Sequence, residues 1–295
     1  MSFSELRCFH AVAQTGSFSK AAEMLLRAQP TITIQVAQLE KRYGTELFHR
    51  RRGQKIKITN FGQRLYEITT RLFALEVDAL ELLGNGESLR TGHIRIGASS
   101  PNLATQYILP FRKRYPGVEV SLSLGNSAGV INDVRDCIVD VGFLGGDGNY
   151  PGCDIQTLAR PEIVLVAQKD HPAVQNGYIP LADIVNQTIL LREPGSQTRE
   201  LFLKRLENEG VRPGETIEIG SREGVCAAAG AGLGFAIIAL DEIQQGYGIE
   251  TLRIEEFEIF GAVHAISLKE RGYTELIRAF REVVDGVAQG DFSHP

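Results

Sequence analysis

The stretch Thr15-Gly16-Ser17-Phe18-Ser19-Lys20-Ala21-Ala22-Glu23-Met24-Leu25-Leu26-Arg27-Ala28-Gln29-Pro30-Thr31-Ile32-Thr33-Ile34-Gln35-Val36, followed by the basic run His49-Arg50-Arg51-Arg52, decides how this chain is read. An Ala-rich helical pattern, a short break, a Gln/Thr-rich helical pattern and a basic turn come in that order. Ala21 and Ala22 give the first helix a small inner face, which lets a second helix cross it closely and protrude. Gln29, Thr31, Thr33 and Gln35 put short hydrogen-bonding side chains near the start of that second helix, while Ile32, Val36 and Leu39 repeat at core spacing. Such a pair is a helix-turn-helix, whose protruding helix reads base edges in a major groove.

Working outward, an opening helix is predicted from about Ser4 to Gln14, with Leu6, Phe9 and Val12 on one face and Gly16 ending it. Ser17 or Ser19 caps the second helix, whose stripe is Phe18, Ala22, Leu25 and Leu26. Pro30 suits the first turn of the third helix, which runs to about Tyr43 before Gly44. Leu47-Phe48 and Lys55-Ile56-Lys57-Ile58 read as two short strands joined by a basic turn around Gly53, a wing whose tip lies along phosphates. His49 beside it reads as a phosphate neighbour rather than a base.

Charge supports that assignment. The 295-residue chain carries a net charge of −5, yet residues 1–60 hold ten basic against four acidic side chains, a net of +6 that leaves −11 for the rest. Phosphate contacts supply most sequence-independent affinity for DNA, so a basic head on an acidic body points to one DNA-facing domain. Gln29, Pro30, Thr31, Thr33 and Gln35 are the expected base readers, and Arg50, Arg51, Arg52 and Lys55 the expected phosphate contacts.

From Phe61, apolar residues recur as Phe61, Leu65, Ile68, Leu72, Leu75, Ala79 and Leu82, alternating steps of four and three. This seam wants a partner helix and predicts pairing of two chains, which would place two reading heads on a two-fold-related operator. A helix packed only on its own domain is the competing reading. Gly84, Gly86 and Gly92 mark a hinge. Beyond it, strand-like runs (His93 to Gly97, Val118 to Leu124, Val139 to Leu144) alternate with helical patterns around Thr105 to Arg114 and Val130 to Asp136. A second set comes after Pro161, with strands at Ile163 to Ala167, Thr188 to Leu191, Ile217 to Ile219 and Phe235 to Ile238, and helices at Arg199 to Glu209 and Gly224 to Ala231. Ala262 to Leu268 then reads as a strand and Thr274 to Val287 as an amphipathic helix. Two α/β lobes with a cleft between them fit the pattern.

Several functional classes lose support. No basic-then-apolar leader opens the chain and no apolar run approaches membrane-spanning length, so a soluble cytoplasmic protein without a membrane partner is expected. Cys8, Cys137, Cys153 and Cys226 form no CxxC pair and have no His at ligand spacing, which predicts reduced thiols rather than a disulfide scaffold or metal site. Gly230-Ala231-Gly232-Leu233-Gly234 comes after a predicted helix and precedes a strand, the reverse of a phosphate-cradling turn, so it reads as a helix end. His171-Pro172 is a turn signal. No GxSxG, HExxH or Walker pattern is present, and neither catalysis nor a cofactor is expected.

Over nearly its whole length the chain resembles the LysR-type transcriptional regulators. The resemblance is carried by Gly16-Ser17-Phe18-Ser19-Lys20-Ala21-Ala22, Gln29-Pro30-Thr31-Ile32-Thr33-Ile34-Gln35-Val36, Leu39-Glu40-Lys41, Gly44-Thr45-Glu46-Leu47-Phe48-His49-Arg50 and Thr59-Asn60-Phe61-Gly62. It implies a winged head over residues 1–60, a dimerising linker helix and hinge over 61–91, and a two-lobed effector domain over 92–295 resembling type II periplasmic binding proteins. Lobe I is expected at about 92–161 and 266–295, and lobe II at about 162–265. The resemblance also implies a homodimer or homotetramer on double-stranded operator DNA, control by a small molecule, and contact with RNA polymerase if the protein activates. Two positions depart from the family pattern. Ala28 stands where a capping Ser is common, and Ile34 where Arg is common, which removes one expected contact and leaves a side chain able to meet a thymine methyl.

Helix N-termini at the cleft favour anions. Ala98-Ser99-Ser100-Pro101, Gly125-Asn126-Ser127, Pro194-Gly195-Ser196-Gln197-Thr198-Arg199 and Gly220-Ser221-Arg222 each come after a predicted strand, and each alone is equally an ordinary cap or turn. Ser99, Ser100, Asn126, Ser127, Ser196, Thr198, Arg199, Ser221 and Arg222 are therefore the expected contacts to a small anionic effector. A narrower resemblance, on Glu46-Leu47-Phe48-His49-Arg50-Arg51, Gly125-Asn126-Ser127, the run Leu191 to Arg199 and the run Glu218 to Glu223, is to the subgroup associated with aminoethylphosphonate catabolism. It implies a phosphonate among these donors and an amine near Glu193 or Glu223. The alternative keeps the DNA-binding head and makes the body a redox module at Cys137 and Cys226, or a protein-interaction module.

Overall fold

The computed structural model describes residues 2–49, 56–83, 89 and 91–288. The chain forms two compact units, one of residues 1–85 with 136–138 and one of the remainder.

In the first unit, α1 (Phe3–Thr15) begins with a capping box. Ser2 Oγ accepts the Glu5 amide at 3.2 Å, and the Glu5 carboxylate accepts the Ser2 amide at 2.8 Å. Gly16 ends the helix in the left-handed region. α2 (Phe18–Met24) is capped by Ser17, which leaves Ser19 free to donate to the Gln29 side chain at 3.0 Å. α3 (Gln29–Tyr43) crosses the small face of α2, where Ala21 and Ala22 are buried. Ile32, Val36 and Leu39 meet Leu6, Phe9 and Val12 in one core. Ala28 is the N-cap of α3 with no side-chain cap; Pro30 in the first turn and the Ser19–Gln29 bond support the helix start.

A single junction ties α3 to the wing and to the next helix. Glu40 of α3 accepts the backbone amides of Leu47 (2.9 Å) and Phe48 (3.3 Å) on one carboxylate oxygen. The Thr59 hydroxyl donates to the Glu46 carbonyl at 2.9 Å and accepts the Gly62 amide at 2.9 Å. A β-carbon on Gly62 would lie 2.3 Å from the Leu47 carbonyl oxygen, so only glycine lets the next helix sit this close. β1 (Phe48–His49) pairs antiparallel with β2 (Lys57–Ile58), which gives the wing its base. α4 (Asn60–Leu83) then leaves the head. Leu65 and Leu72 pack on the head core, whereas Phe61, Ile68, Leu75 and Ala79 stay exposed. The predicted seam is thus split. Leu65 and Leu72 serve the protomer's own core and the others form an open stripe; the Leu82 side chain lies outside the described residues.

Leu26 corrects the expected α2 stripe. It is not on the buried face but 94 % exposed with φ of +50°, and the helix ends there in a conformation that costs an L-residue about 1–2 kcal/mol.

The second unit holds two sheets. Lobe I contains β3 (Gly92–Ala98), α5 (Pro101–Arg114), β4 (Val118–Leu124), α6 (Ser127–Arg135), β5 (Val141–Gly145) and β6 (Cys153–Ala159). The chain then builds lobe II from β7 (Glu162–Gln168), α7 (Pro172–Asn176), β8 (Tyr178–Ile179), β9 (Thr188–Leu191), α8 (Gln197–Asn208), β10 (Glu215–Glu218), α9 (Arg222–Gly230), β11 (Phe235–Ala239), β12 (Ile249–Ile254) and β13 (Ile259–Phe260). It returns to lobe I with β14 (Val263–Leu268) and α10 (Glu275–Ala288). The first sheet has order β4-β3-β5-β14-β6 and the second β10-β9-β11-β7-β12-β8, with β13 also on β7. Because β14 pairs with β5 and β6 from Val263 onward, the return to lobe I comes a few residues before the expected 266. β3 runs parallel to β4 and β5; Ile94, Ile96 and Ala98 on one of its faces join Val141 and Phe143 of β5 in the lobe I core, while His93, Arg95 and Gly97 lie on the other. Buried Asp140 ties three segments together by accepting Arg95 Nη2 at 2.7 Å and Arg271 Nη1 at 2.6 Å. Burial would raise this carboxyl, but the two guanidiniums outweigh it and hold it below its ordinary value.

Two features of the head can be tested directly. Leu26→Gly removes the left-handed strain and loses no buried contact, so it should raise head stability by roughly 0.5–1 kcal/mol, read as a higher melting temperature. Half-buried His10 stacks on Tyr66 at 4.9 Å and bonds Thr69 through Nδ1 at 3.0 Å. Burial first, and Arg7 second, push its pKa down to about 4. The unfolded chain takes up this proton near pH 6.5 and the folded chain only near 4, so stability should fall as pH drops between those values. Comparing melting curves with His10→Gln, whose difference from wild type should shrink over that window, checks it.

Candidate functional sites

α3 presents Gln29, Pro30 and Thr31 exposed at its N-terminal end, on the unit whose sequence carries the basic excess. Thr33 and Gln35 are half-buried on the flanks, and the Thr33 hydroxyl donates back to the Gln29 carbonyl at 3.1 Å. Their reach outward is therefore less than the spacing predicts. Arg50, Arg51, Arg52 and Lys55 lie outside the described residues.

The second unit contains a cleft between its two sheets with an empty volume of about 490 Å³, open mouth included. Ser99, Asn126, Ser127, Ser196, Thr198 and Arg222, all expected from sequence, line it. Ser100, Arg199 and Ser221 do not. Ser100 is buried and bonds Glu242. Arg199 donates to the Arg192 carbonyl at 2.6 Å and to Glu218 at 2.7 Å, and Ser221 caps α9 by accepting the Gly224 amide at 2.9 Å.

The four helix starts are not equivalent. At α6 the Ala128 amide is taken by the Gly195 carbonyl at 3.2 Å and the Gly129 amide by Asn126 Oδ1 at 2.9 Å. Asn126 also donates to Glu193 and to the Pro194 carbonyl, both at 3.2 Å, so it fastens lobe I to lobe II. At α8, by contrast, the N-cap Ser196 makes no side-chain cap; its hydroxyl lies 3.1 Å from that of Thr198. Ser196, Gln197 and Thr198 all line the cleft, so hydroxyls and first-turn amides converge at one spot.

Three further polar residues, not expected as contacts, line the cleft: Arg192 and Gln197, which lie within the runs singled out in the sequence, and Glu242, which does not. Both lining arginines already have anions. Arg192 forks onto Glu193 with two bonds of 2.7 Å. Arg222 meets Glu242 at 2.8 Å and donates to the Ser99 carbonyl at 3.1 Å, a second link between lobes. Burial raises the Glu242 carboxyl despite Arg222 and Ser100, whereas on Glu193 the Arg192 and Asn126 bonds overcome burial and lower it. Glu242 is therefore the carboxylate facing the cleft, in place of the expected Glu193 or Glu223. The adjacency of Arg192 to Glu193 is the one local hint of a pair; no local pattern marks Glu242, which reaches the cleft from the turn after β11.

The four cysteines are buried and unbonded to one another, and burial raises the thiol of Cys226, which opposes a reactive thiolate. His171 caps α7, accepting the Ala173 amide at 3.2 Å, and packs edge-on against Phe235. The Gly230 to Gly234 run is the end of α9 and the turn into β11, with Gly232 at φ of +80°. Among the described residues no group of three metal-ligating side chains occurs, and no helix is long and apolar enough to cross a membrane.

Comparison with known proteins identifies both domains. Residues 3–63 match the family described as bacterial regulatory helix-turn-helix protein, lysR family, and residues 87–289 match the LysR substrate binding domain. The chain is 32 % identical to the transcriptional regulator CbbR of Sinorhizobium medicae over 296 residues, covering 96 % of this chain and 92 % of that one. It is 30 % identical to the transcriptional activator CmpR of a Synechocystis species, over 80 % of this chain and 78 % of that one. A full-length OxyR variant from Pseudomonas aeruginosa shares the fold with a TM-score of 0.74 at 20 % identity, covering 96 % and 94 % of the two chains. The head that presents α3 and the two-lobed body after it are those of a LysR-family DNA-binding transcriptional regulator, and this chain belongs to that family.

Proposed function

We propose that a small anionic metabolite, bound in the cleft at the start of α8, controls how this regulator holds operator DNA. The observation that carries this reading is the convergence of the Ser196 and Thr198 hydroxyls with the first-turn amides of α8, in a cleft that also holds Arg192 and Arg222. A ligand there competes with the links Asn126 and Arg222 make across the lobes. Affinity that differs between the linked and opened lobes is what turns binding into a change of state. Because each arginine is already paired, an anion must add to the α8 donors or displace Glu242 from Arg222.

In this reading Gln29, Pro30 and Thr31 contact bases, and Arg50, Arg51, Arg52 and Lys55 contact phosphates. The α4 stripe supplies the dimer. Phe61, Ile68 and Leu75 recur every seven residues, are 54 %, 63 % and 39 % exposed, and match the seam of a paired helix. RNA polymerase joins the partners if regulation is by activation. 2-Aminoethylphosphonate suits a site with donors for a phosphonate and Glu242 for an amine, but the relatives CbbR and CmpR lend that compound no support. Burial of Cys137 and Cys226 weighs against the redox alternative.

Thermal stabilisation against 2-aminoethylphosphonate, inorganic phosphate, amino acids, sugar phosphates and aromatic carboxylates tests the effector. A bound anion should raise the melting temperature, about 2.7 kcal/mol at a hundredfold excess over Kd, and Ser196→Ala with Thr198→Val should abolish the shift. Silence across the panel, or a shift the double variant keeps, contradicts the α8 site. For assembly, the paired change Ile68→Glu and Leu75→Glu should yield a folded monomer by sedimentation, with operator affinity reduced at least tenfold; an unchanged mass rejects the α4 seam.

A further inference from the structure

The reading surface of α3 differs from the one its polar residues suggest. At about 100° per residue, Ile34 lies two positions after buried Ile32 and two before buried Val36, and so points directly away from the core. It is 55 % exposed, and the exposed residues that share its side of the helix are Pro30, Thr31, Gln38 and Lys41. Gln35 and Thr33 flank the core side instead, each half-buried. The outermost point within the first two turns is therefore an aliphatic side chain.

We infer that Ile34 is a specificity-determining residue that reads thymine through its C5-methyl group, at the centre of a crest formed by Thr31, Ile34 and Gln38. An isoleucine has no donor for a phosphate and no acceptor for a base edge. In the major groove the apolar feature that distinguishes one base pair from the others is the thymine methyl. Cytosine and the purines offer Ile34 polar atoms whose water it would strip without replacing. Thr31, three positions before, and Gln38, four after, lie on the same side of the helix and supply hydrogen bonds to neighbouring pairs. Nothing in the packing of the head requires isoleucine here, because Ile34 is absent from the buried core that holds Ile32 and Val36.

The test begins with selection of duplexes from a random-sequence pool by the full chain. Each thymine of the enriched site is then replaced by deoxyuridine, which removes only the methyl group. One thymine per half-site should show binding weakened about three- to fivefold, the contribution of one buried methyl. Ile34→Ala should bind the parent site less tightly and lose that sensitivity, with an unchanged melting temperature showing that the head still folds. Ile34→Arg should move the preference at the same position from thymine to guanine. Uniform indifference to deoxyuridine, or full sensitivity kept by Ile34→Ala, overturns the inference while sequence-specific DNA binding stands. Failure to enrich any sequence would remove both.

Discussion

The head rests on three residues of backbone, Glu46 to Phe48, that serve three elements at once. Their amides are held by Glu40 from α3 and their carbonyls by Thr59 at the start of α4, and Gly62 is confined against the Leu47 carbonyl. Because this short segment leads into the wing and its partners come from α3 on one side and the start of α4 on the other, the three elements are coupled through it. A movement of α4 is thereby a movement of α3, which is the mechanical requirement for any signal that arrives through the linker. The buried, multiply bonded carbonyls and amides leave little room for an alternative arrangement, since an unpartnered buried polar group costs about 1–3 kcal/mol.

The effector body solves a different problem. Its two sheets are separate cores, and the chain crosses between them at two places, after β6 and before β14. Polar links at the cleft, Asn126 to Glu193 and Pro194 with Ala128 to Gly195, and Arg222 to Ser99 with Glu242 to Ser100, join the lobes. Such links are weak enough for a small ligand to replace and specific enough to define a resting geometry. Each lining arginine is paired with a carboxylate, so in the proposed reading discrimination falls to the hydroxyls and amides at the α8 start.

Most of this organisation is legible in the sequence where one period dominates. Thr188–Leu191 is found over the residues its apolar run marks, and the helices and strands of the head fall within one or two residues of their expected bounds. Four of the described strands carry no expectation: the two-residue β8 and β13, β6 (Cys153–Ala159), whose burial alternates strictly, and β12 (Ile249–Ile254), whose acidic and basic residues break the apolar pattern. Leu26 continues an apolar stripe and so reads as a core residue, but the chain must turn there and no glycine is available to do it. At the cleft, serine positions are legible as loop signals after strands. The identity of their partners is not: Glu242 is brought to Arg222 by the return of β11, across twenty residues of chain, and Arg199 turns away to Glu218 for reasons that only the three-dimensional path supplies.

Control through the α8 start is tested most directly by amide hydrogen exchange on the full chain, with and without a saturating anion that stabilises it. Slowed exchange is predicted at the first-turn amides of α8, residues 197–199, with altered exchange at Ala128 and Gly129, where the lobes are linked. Protection confined to other parts of the chain, with the α8 start unchanged, would contradict it.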